Sequence, residues 1–502
     1  MITICLNKAD FEYDIHSLVK AFYPKEDVKV FADKEKVYKL EQESTPLFHM
    51  EVFFQYDKGR IEVILYLPPK DQGEPYENGS YYIGRKGNAK VEFSDRKQSK
   101  NRLKQCLYQM LSEYTGQTLP WGTLTGIRPT KIPMSMLEEG KKEIEIKEYM
   151  ADTYFASEQK IDLSIEIAKR EKELLKQIDY KDGYSLYIGI PFCPSICSYC
   201  SFSSSPIGIW KEKVDAYLCA LEREIDSTAH SCSHKKLNTI YIGGGTPTTL
   251  SPRQLDWLLT KIENSFAFSS LLEYTVEAGR PDSITRDNLE VLRNHQVSRI
   301  SINPQTMKQE TLNLIGRRHT PEQTVESFWM ARELGFDNIN MDLIVGLPQE
   351  TLEDVESTLD QIKVLSPDSL TIHSLALKRV AKLRIFSEEY KGLEMKNSWE
   401  IIDLTASYAK KMGLLPYYLY RQKNMAGNFE NVGYARAGKE GLYNILIMEE
   451  KQSIVALGAG SISKKVYPDR RIERCENVKD VAQYIERIGE MIERKKHLLC
   501  DC

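Results

Sequence analysis

The sequence lacks any apolar run approaching the roughly 18 residues that a membrane-spanning helix needs. It also lacks a charge excess, because 68 Lys and Arg residues are balanced by 72 Asp and Glu residues, for a net charge of −4. We find no internal repeat and no long low-complexity tract. With 41% hydrophobic residues the chain can bury a sizeable core. These features argue against a membrane span, a nucleic-acid partner and a mainly disordered chain.

Cysteine is too sparse for a disulfide scaffold, with ten in 502 residues. Five cysteines stand alone and are expected to be small buried apolar residues: Cys5, Cys106, Cys219, Cys232 and Cys475. Cys500 and Cys502 end the chain and are expected to fray. The N-terminal segment reaches Asp10 and Glu12 too early to contain the apolar stretch of a signal peptide. A cytoplasmic location is therefore expected.

The length suggests about three domains. Residues 1–175 predict an α+β accessory domain that ends in a helical connector, with a hairpin turn at residues 57–59 and a helix over 96–116. Residues 176–380 change to short apolar strands that alternate with amphipathic helices. Residues 381–502 follow as a smaller C-terminal region.

Six strands are predicted in the central region, each followed by a helix that crosses back to the next strand. They lie at 184–190, 239–244, 274–278, 299–303, 339–346 and 369–375. Strands connected in this way form a parallel sheet with right-handed crossovers. Six units fall short of the eight of a closed TIM barrel, so the predicted class is α/β with a partial (β/α)6 TIM-like barrel. Functional groups are expected at the carboxyl ends of its strands.

Three cysteines, Cys193, Cys197 and Cys200, fall directly after the first predicted barrel strand. A structural zinc site usually adds a second pair of Cys or His ligands, and no such pair stands nearby. Three thiolates in one loop can instead hold three irons of a cubane [4Fe–4S] cluster and leave the fourth iron open to another ligand. A three-cysteine zinc site and three unrelated thiols stay open as alternatives from the residues alone.

The Cys-x3-Cys-x2-Cys loop after a strand that opens a partial barrel resembles that of the radical S-adenosylmethionine enzymes. The resemblance implies a [4Fe–4S] cluster and one or two molecules of S-adenosylmethionine. It also implies that the open iron chelates the methionine part of the cofactor and that an electron from the cluster releases a 5′-deoxyadenosyl radical. In such enzymes the cofactors perform the difficult chemistry and the protein supplies placement.

Motifs over roughly residues 180–465 fall in the order seen in oxygen-independent coproporphyrinogen III oxidases. They are Ile-Pro-Phe-Cys193, Gly243-Gly244-Gly245-Thr246-Pro247, Val276-Glu277-Ala278, Gln305, Gly316-Arg317 and Asp342-Leu-Ile-Val-Gly-Leu-Pro348. The segments 121–131 and 417–423 look like the HemZ-type branch of that family. The resemblance implies that coproporphyrinogen III propionates are decarboxylated to vinyl groups, giving protoporphyrinogen IX. It also implies a reducing electron donor of flavodoxin or ferredoxin type.

The same resemblance implies a set of strand-end residues that hold S-adenosylmethionine: Tyr187, Tyr199, Gly244, Gly245, Thr246, Glu277, Gln305, Arg317, Asp342, Ala376 and Ile462. From the residues alone, consecutive glycines let a ligand approach bare backbone, although a tight turn would also use them. A carboxylate at Glu277 needs a partner, for which an ion pair with Arg280 or Arg299 is the alternative. No residue is predicted to act as a general base.

A tetracarboxylate tetrapyrrole needs cations and flat apolar walls. Arg379, after the sixth strand, and Arg421, beside several tyrosines, are the candidates, with a solvated charged face as the alternative. Two positions depart from the oxidases, which commonly have His where this chain has Gly189 and often a fourth Cys where it has Phe202. The latter ending is shared with heme-chaperone relatives. A heme-binding or heme-delivery protein and a radical enzyme with another substrate therefore stay as alternatives.

Overall fold

The computed structural model describes residues 1–68, 82–202, 204–376, 395, 397–422, 429–469 and 471–499, apart from the side chains of residues 38 and 43. The chain divides into two compact units. Unit 1 contains residues 1–165 and 421–429, and unit 2 contains residues 166–420 and 430–502. The domain boundaries at 175 and 380 stay predictions.

Unit 1 is built on a five-stranded mixed sheet of order β2-β1-β3-β4-β5. Its elements, the last helix of which continues into unit 2, are β1 (Ile2–Leu6), α1 (Glu12–Phe22), β2 (Val28–Phe31), α2 (Lys34–Glu43), β3 (His49–Gln55), β4 (Arg60–Leu67), β5 (Tyr82–Lys90), α3 (Arg96–Thr115), α4 (Lys131–Glu138), α5 (Glu143–Tyr154) and α6 (Glu158–Leu175). The predicted hairpin is confirmed, since β3 and β4 pair antiparallel through a turn that ends at Gly59. The predicted helical connector divides at Phe155, whose left-handed conformation (φ 54°) ends α5.

Unit 2 is built on an eleven-stranded sheet of order β14-β15-β13-β12-β11-β10-β9-β6-β16-β17-β18. Its strands are β6 (Gly183–Ile190), β7 (Phe192–Cys193), β8 (Ser205–Pro206), β9 (Lys236–Gly244), β10 (Glu273–Gly279), β11 (Arg299–Ile302), β12 (Ile339–Val345), β13 (Ser369–Ser374), β14 (Leu415–Tyr420), β15 (Asn431–Ala435), β16 (Ser453–Leu457), β17 (Ile462–Val466) and β18 (Ile472–Glu476). The short strands β7 and β8 pair only with each other.

The helices of unit 2 follow the strands as predicted for crossover connections. They are α7 (Ile207–Trp210), α8 (Val214–Ser231), α9 (Pro252–Ser265), α10 (Arg286–Asn294), α11 (Gln309–Leu314), α12 (Pro321–Glu333), α13 (Leu352–Leu365), α14 (Trp399–Lys411), α15 (Leu442–Glu449), α16 (Val481–Glu486) and α17 (Ile488–Leu499). Pro252 and Pro321 occupy first helical positions, where the missing N–H costs nothing. Among the described residues, no helix is both long and apolar enough to cross a membrane.

The six predicted barrel strands are confirmed as one parallel set, because β6, β9, β10, β11, β12 and β13 pair in that order. The described strands do not close into a barrel, which agrees with the predicted partial barrel. The sheet continues at both edges: β16 pairs parallel with β6, and β15 pairs antiparallel with β13. Residues after 380 therefore extend the same sheet.

Candidate cofactor site

The three clustered cysteines lie in one loop at the carboxyl end of β6. Cys193 belongs to β7, Cys197 is buried and Cys200 is partly buried. Within the loop, the backbone N–H of Cys200 donates to the carbonyl of Cys197 at 3.2 Å. The N–H of Ser198 donates to the carbonyl of Ile315, just after α11, at 2.9 Å. The loop is therefore fixed by the end of a neighbouring barrel unit.

The arrangement of the thiols is compatible with a cubane cluster. Among the described residues, no three Cys, His, Asp or Glu side chains converge as ligands of one metal ion must. In a cubane cluster each cysteine binds a different iron, so the three sulfurs need not converge on one point. Burial raises the pKa of Cys193 to about 11, so iron has to displace its thiol proton on binding.

Two buried arginines surround the sulfur of Cys197. Arg280 donates to it from Nη1 at 3.6 Å, and Arg317 is also hydrogen-bonded to it. Arg317 further donates from Nε to the hydroxyl of Tyr199 at 3.2 Å, so two predicted cofactor residues touch each other. His319 is fully buried beside them, and burial together with the charge of Arg317 lowers its pKa to about 3. The sequence analysis missed His319, and Arg280 had been considered only as a partner of Glu277.

The glycine segment at the end of β9 packs against the cysteine segment. The N–H groups of Gly245 and Thr246 donate to the carbonyls of Ile190 and Phe192, both at 2.7 Å. A Cβ at position 245 would lie 2.5 Å from the Phe192 oxygen, so only glycine fits there. Gly244 has φ +107°, which strains any residue with a side chain. The backbone of this chain thus already requires both glycines, whatever ligand they also meet.

Glu277 follows at the end of β10 and is held by hydrogen bonds to its carboxylate. The Tyr241 hydroxyl donates to Oε1, and the backbone N–H of Gly244 also donates to the carboxylate. Burial, which outweighs these bonds, raises the pKa of Glu277 to about 7. Arg280 does not pair with this carboxylate and binds Asp282 instead. Of the two alternative partners, Arg280 is therefore engaged elsewhere, whereas the charge of Arg299 still acts to lower the pKa of Glu277.

Gln305 carries a buried acceptor that a bound ligand could satisfy. Its backbone is left-handed (φ +71°) and bridges to β12, where its N–H donates to the Asp342 carbonyl at 3.0 Å. Its side-chain Oε1 is buried and has no hydrogen-bond partner among the described residues. A buried acceptor without a donor costs free energy unless a bound molecule supplies one. A strained backbone at the same residue fits a binding site.

Asp342 lies next to Gln305 in the barrel interior. Its Oδ1 accepts from the Asn340 amide at 2.7 Å, and its Oδ2 lies 3.8 Å from Nε2 of His373. Burial acts to raise the pKa of Asp342. The hydrogen bond and charge of His373 and the hydrogen bond from Asn340 outweigh burial, so the pKa of Asp342 lies below its usual value. The group is therefore ionised near neutral pH and can accept hydrogen bonds from a ligand.

A cavity of about 180 Å³ opens beside the cysteine loop. Tyr187 and Gly244 line it together with Phe202, Ser461 and Lys479. The ring of Tyr187 stacks on that of Tyr241, which in turn stacks on the ring of Tyr443.

The positions of four other predicted cofactor or substrate residues do not test their roles. Ala376 is partly buried after β13, and Ile462, the first residue of β17, is 41% exposed. Arg379 lies outside the described residues. Arg421 belongs to unit 1, where its buried guanidinium donates to the Leu124 carbonyl at 2.6 Å. The roles assigned to these four residues stay predictions.

A three-cysteine loop and polar strand ends on a parallel βα sheet define a radical S-adenosylmethionine protein, and residues 187–362 match the model of the radical SAM superfamily. Its cofactors are a [4Fe–4S] cluster and S-adenosylmethionine, and three thiols of one loop beside a cavity fit both. The chain belongs to the family of oxygen-independent coproporphyrinogen-III oxidase-like proteins of HemZ type.

The HemZ protein of Bacillus subtilis is 40% identical over 404 residues, which cover 80% of this chain and 81% of that protein. The heme chaperone HemW of Bacillus subtilis is 33% identical over 311 residues, covering 61% of this chain and 76% of HemW. A solved structure of coproporphyrinogen III oxidase (HemN) from Escherichia coli aligns with a TM-score of 0.49 at 24% identity, over 64% of this chain and 73% of that one.

Proposed function

We propose that the protein is a radical enzyme of heme biosynthesis that converts coproporphyrinogen III to protoporphyrinogen IX. The observation that carries this proposal is the length of the alignment with the oxidase-like HemZ, 404 residues against 311 with HemW. The longer alignment exceeds the region of residues 187–362 that fits the superfamily model, so the likeness to HemZ is not confined to the shared cofactor fold.

The proposed reaction removes two carboxyl groups. When bound, the cluster and S-adenosylmethionine would supply the radical chemistry that removes a hydrogen from the β-carbon of each propionate, with loss of carbon dioxide and transfer of one electron to an acceptor. Cys193, Cys197 and Cys200 would ligate three irons, while Glu277 and Gln305 would accept hydrogen bonds from the cofactor. The chain itself contributes positioning and exclusion of water. A cytoplasmic donor of flavodoxin or ferredoxin type would supply the reducing electron.

Heme binding and delivery is the second candidate, and two observations favour it. The alignment with HemW covers 76% of that chaperone. The cysteine loop ends in Cys200-Ser-Phe202, the ending shared with the chaperones, and Phe202 is 72% exposed at the mouth of the cavity. An exposed aromatic ring there can stack on a flat macrocycle whether the macrocycle is transformed or only carried.

The test is an anaerobic assay of protein with a reconstituted cluster, using S-adenosylmethionine, a reductant and coproporphyrinogen III labelled in its propionate carboxyl groups. We expect labelled carbon dioxide and protoporphyrinogen in a ratio of two to one, with 5′-deoxyadenosine formed alongside. Cys197→Ala should abolish all three products. Cys219 on α8 is exposed, so the prediction that it is buried was wrong; it offers the matched control, since Cys219→Ala should leave the products unchanged. Tight binding of heme without any of these products would assign the protein to the chaperones.

A further inference from the structure

Arg280 joins the cysteine loop to the end of β10 through every edge of its guanidinium. Its side chain is only 3% exposed. Nη1 donates to the carbonyl and the hydroxyl of Ser195 at 3.0 and 2.8 Å and to the sulfur of Cys197 at 3.6 Å. Nε and Nη2 donate to the two carboxylate oxygens of Asp282 at 2.9 and 2.7 Å. This cation is therefore both held in place and aimed at a cluster ligand.

The local chain fixes Arg280 before any cofactor binds. Gly279 is left-handed (φ +72°) and turns the chain at the end of β10. Pro281 begins a 3-10 turn, in which the N–H of Ser283 donates to the Arg280 carbonyl at 2.9 Å. The same turn presents Asp282 to the guanidinium. A guanidinium held in this way loses little further side-chain freedom when it forms its hydrogen bonds.

We propose that Arg280 is a positioning residue that raises the reduction potential of the cluster through its charged hydrogen bond to Cys197. Reduction transfers one electron from an external donor to the cluster, so the reduced state carries one more negative charge. A nearby cation and an N–H···S hydrogen bond stabilise that state more than the oxidised state. The inference does not depend on the proposed function, because a cluster bound by Cys197 carries this charge change in an enzyme or in a chaperone.

Asp282 supplies an internal check on this electrostatic argument. Its carboxylate pairs with Arg280 and offsets part of the positive charge that the cluster experiences. Removing the carboxylate while keeping Arg280 should therefore change the potential in the opposite direction to removing Arg280. Simple loosening of the loop would not produce opposite shifts from the two partners of one ion pair.

The experiment is a potentiometric titration with redox mediators, in which electron paramagnetic resonance measures the reduced cluster in the reconstituted protein without S-adenosylmethionine. At a fixed applied potential we expect Arg280→Gln to lower the ratio of reduced to oxidised cluster by roughly tenfold or more. Asp282→Asn should raise that ratio, and Arg280→Lys should lie between wild type and Arg280→Gln. Arg286, which pairs with Glu333 on the surface, offers the matched control, because Arg286→Gln should leave the ratio unchanged.

Iron and sulfide content is measured for each variant so that potentials are compared at equal cluster loading. Unchanged ratios in Arg280→Gln and Asp282→Asn, or shifts in the same direction in both, would overturn the proposal. If Arg280→Gln does not retain its cluster, the potentials of Asp282→Asn and Arg280→Lys still test the proposal. A ratio in Asp282→Asn that is equal to or lower than wild type would then reject the role of this charge.

Discussion

Replacing Lys495 by Met should destabilise the protein more than any nearby surface change, because Lys495 neutralises a fully buried carboxylate. Glu224 on α8 is 0% exposed and Lys495 on α17 is 2% exposed. Lys495 forms an ion pair with Glu224 and donates to the Ala456 carbonyl at 2.5 Å. The substitution leaves the Glu224 charge buried with neutral donors only. Breaking a buried pair in this way costs about 3–5 kcal/mol.

The remaining contacts of Glu224 define a compensating variant. Its carboxylate also accepts hydrogen bonds from the Gly458 N–H at 2.8 Å, the Asn477 amide at 2.8 Å and the Tyr484 hydroxyl at 2.5 Å. In the double variant Glu224→Gln with Lys495→Met, a neutral amide oxygen still accepts part of this set while no charge is left buried. We therefore expect the double variant to recover most of the stability that the single variant loses.

The measurement is the shift of the denaturant midpoint, with the free energy of unfolding taken from linear extrapolation. The next residue on the same helix, Lys496, is 43% exposed and pairs with Glu493 at the surface, so Lys496→Met should cost less than about 1 kcal/mol. Equal losses for Lys495→Met and Lys496→Met would refute the reasoning. A double variant as unstable as the single one would show that lost packing, rather than the unpaired charge, causes the damage.

Three further predictions concern the cofactors. Replacing Cys193, Cys197 or Cys200 by Ala should remove the visible absorption of the iron–sulfur cluster. The control Cys232→Ala, which changes a buried thiol elsewhere, should keep that absorption. A retained cluster in any of the first three variants would contradict the ligand role of that cysteine. Gly244→Val should abolish S-adenosylmethionine binding, measured by calorimetry, because φ +107° is incompatible with a branched side chain beside the cavity. The cluster content of this variant should stay near wild type. Unchanged affinity would assign this glycine to the turn alone. The pKa of Glu277 is raised to about 7, so its carboxylate forms only as pH rises through that value. S-adenosylmethionine affinity should therefore increase from pH 6 to pH 8, and Glu277→Gln should remove this pH dependence. An equally steep profile in the variant would place the titrating group elsewhere.

Local sequence signals predict much of the fold because their physical causes are local. The six barrel strands are apolar runs, and proline or a capping residue begins the helices between them, as at Pro252 and Pro321. The extension of the sheet by β15 and β16 was not predicted. Edge pairing depends on which strands the folded chain brings together, and strand propensity does not encode it.

In the candidate site, too, local sequence signals predict some features, while others depend on the folded chain. The spacing of Cys193, Cys197 and Cys200 predicts a cluster loop, because a cluster needs several thiols within reach of one another. The partner of Arg280 could not be chosen from sequence, since Glu277 and Asp282 are both close along the chain. Only the turn at Pro281 decides that Asp282 meets the guanidinium. The unpartnered oxygen of Gln305 likewise appears only once its surroundings are known.

The pairing of β16 with β6 has a consequence for how the protein matures. β6 immediately precedes the cysteine loop, while its partner strand β16 and the cavity-lining residues Ser461 and Lys479 lie far later in the sequence and leave the ribosome well after it. Until they emerge, the β6 edge of the nascent sheet has no partner and the cavity lacks one wall. A complete cavity wall therefore requires synthesis to have passed residue 479, and a chain released before residue 453 would expose that edge to other unfolded chains.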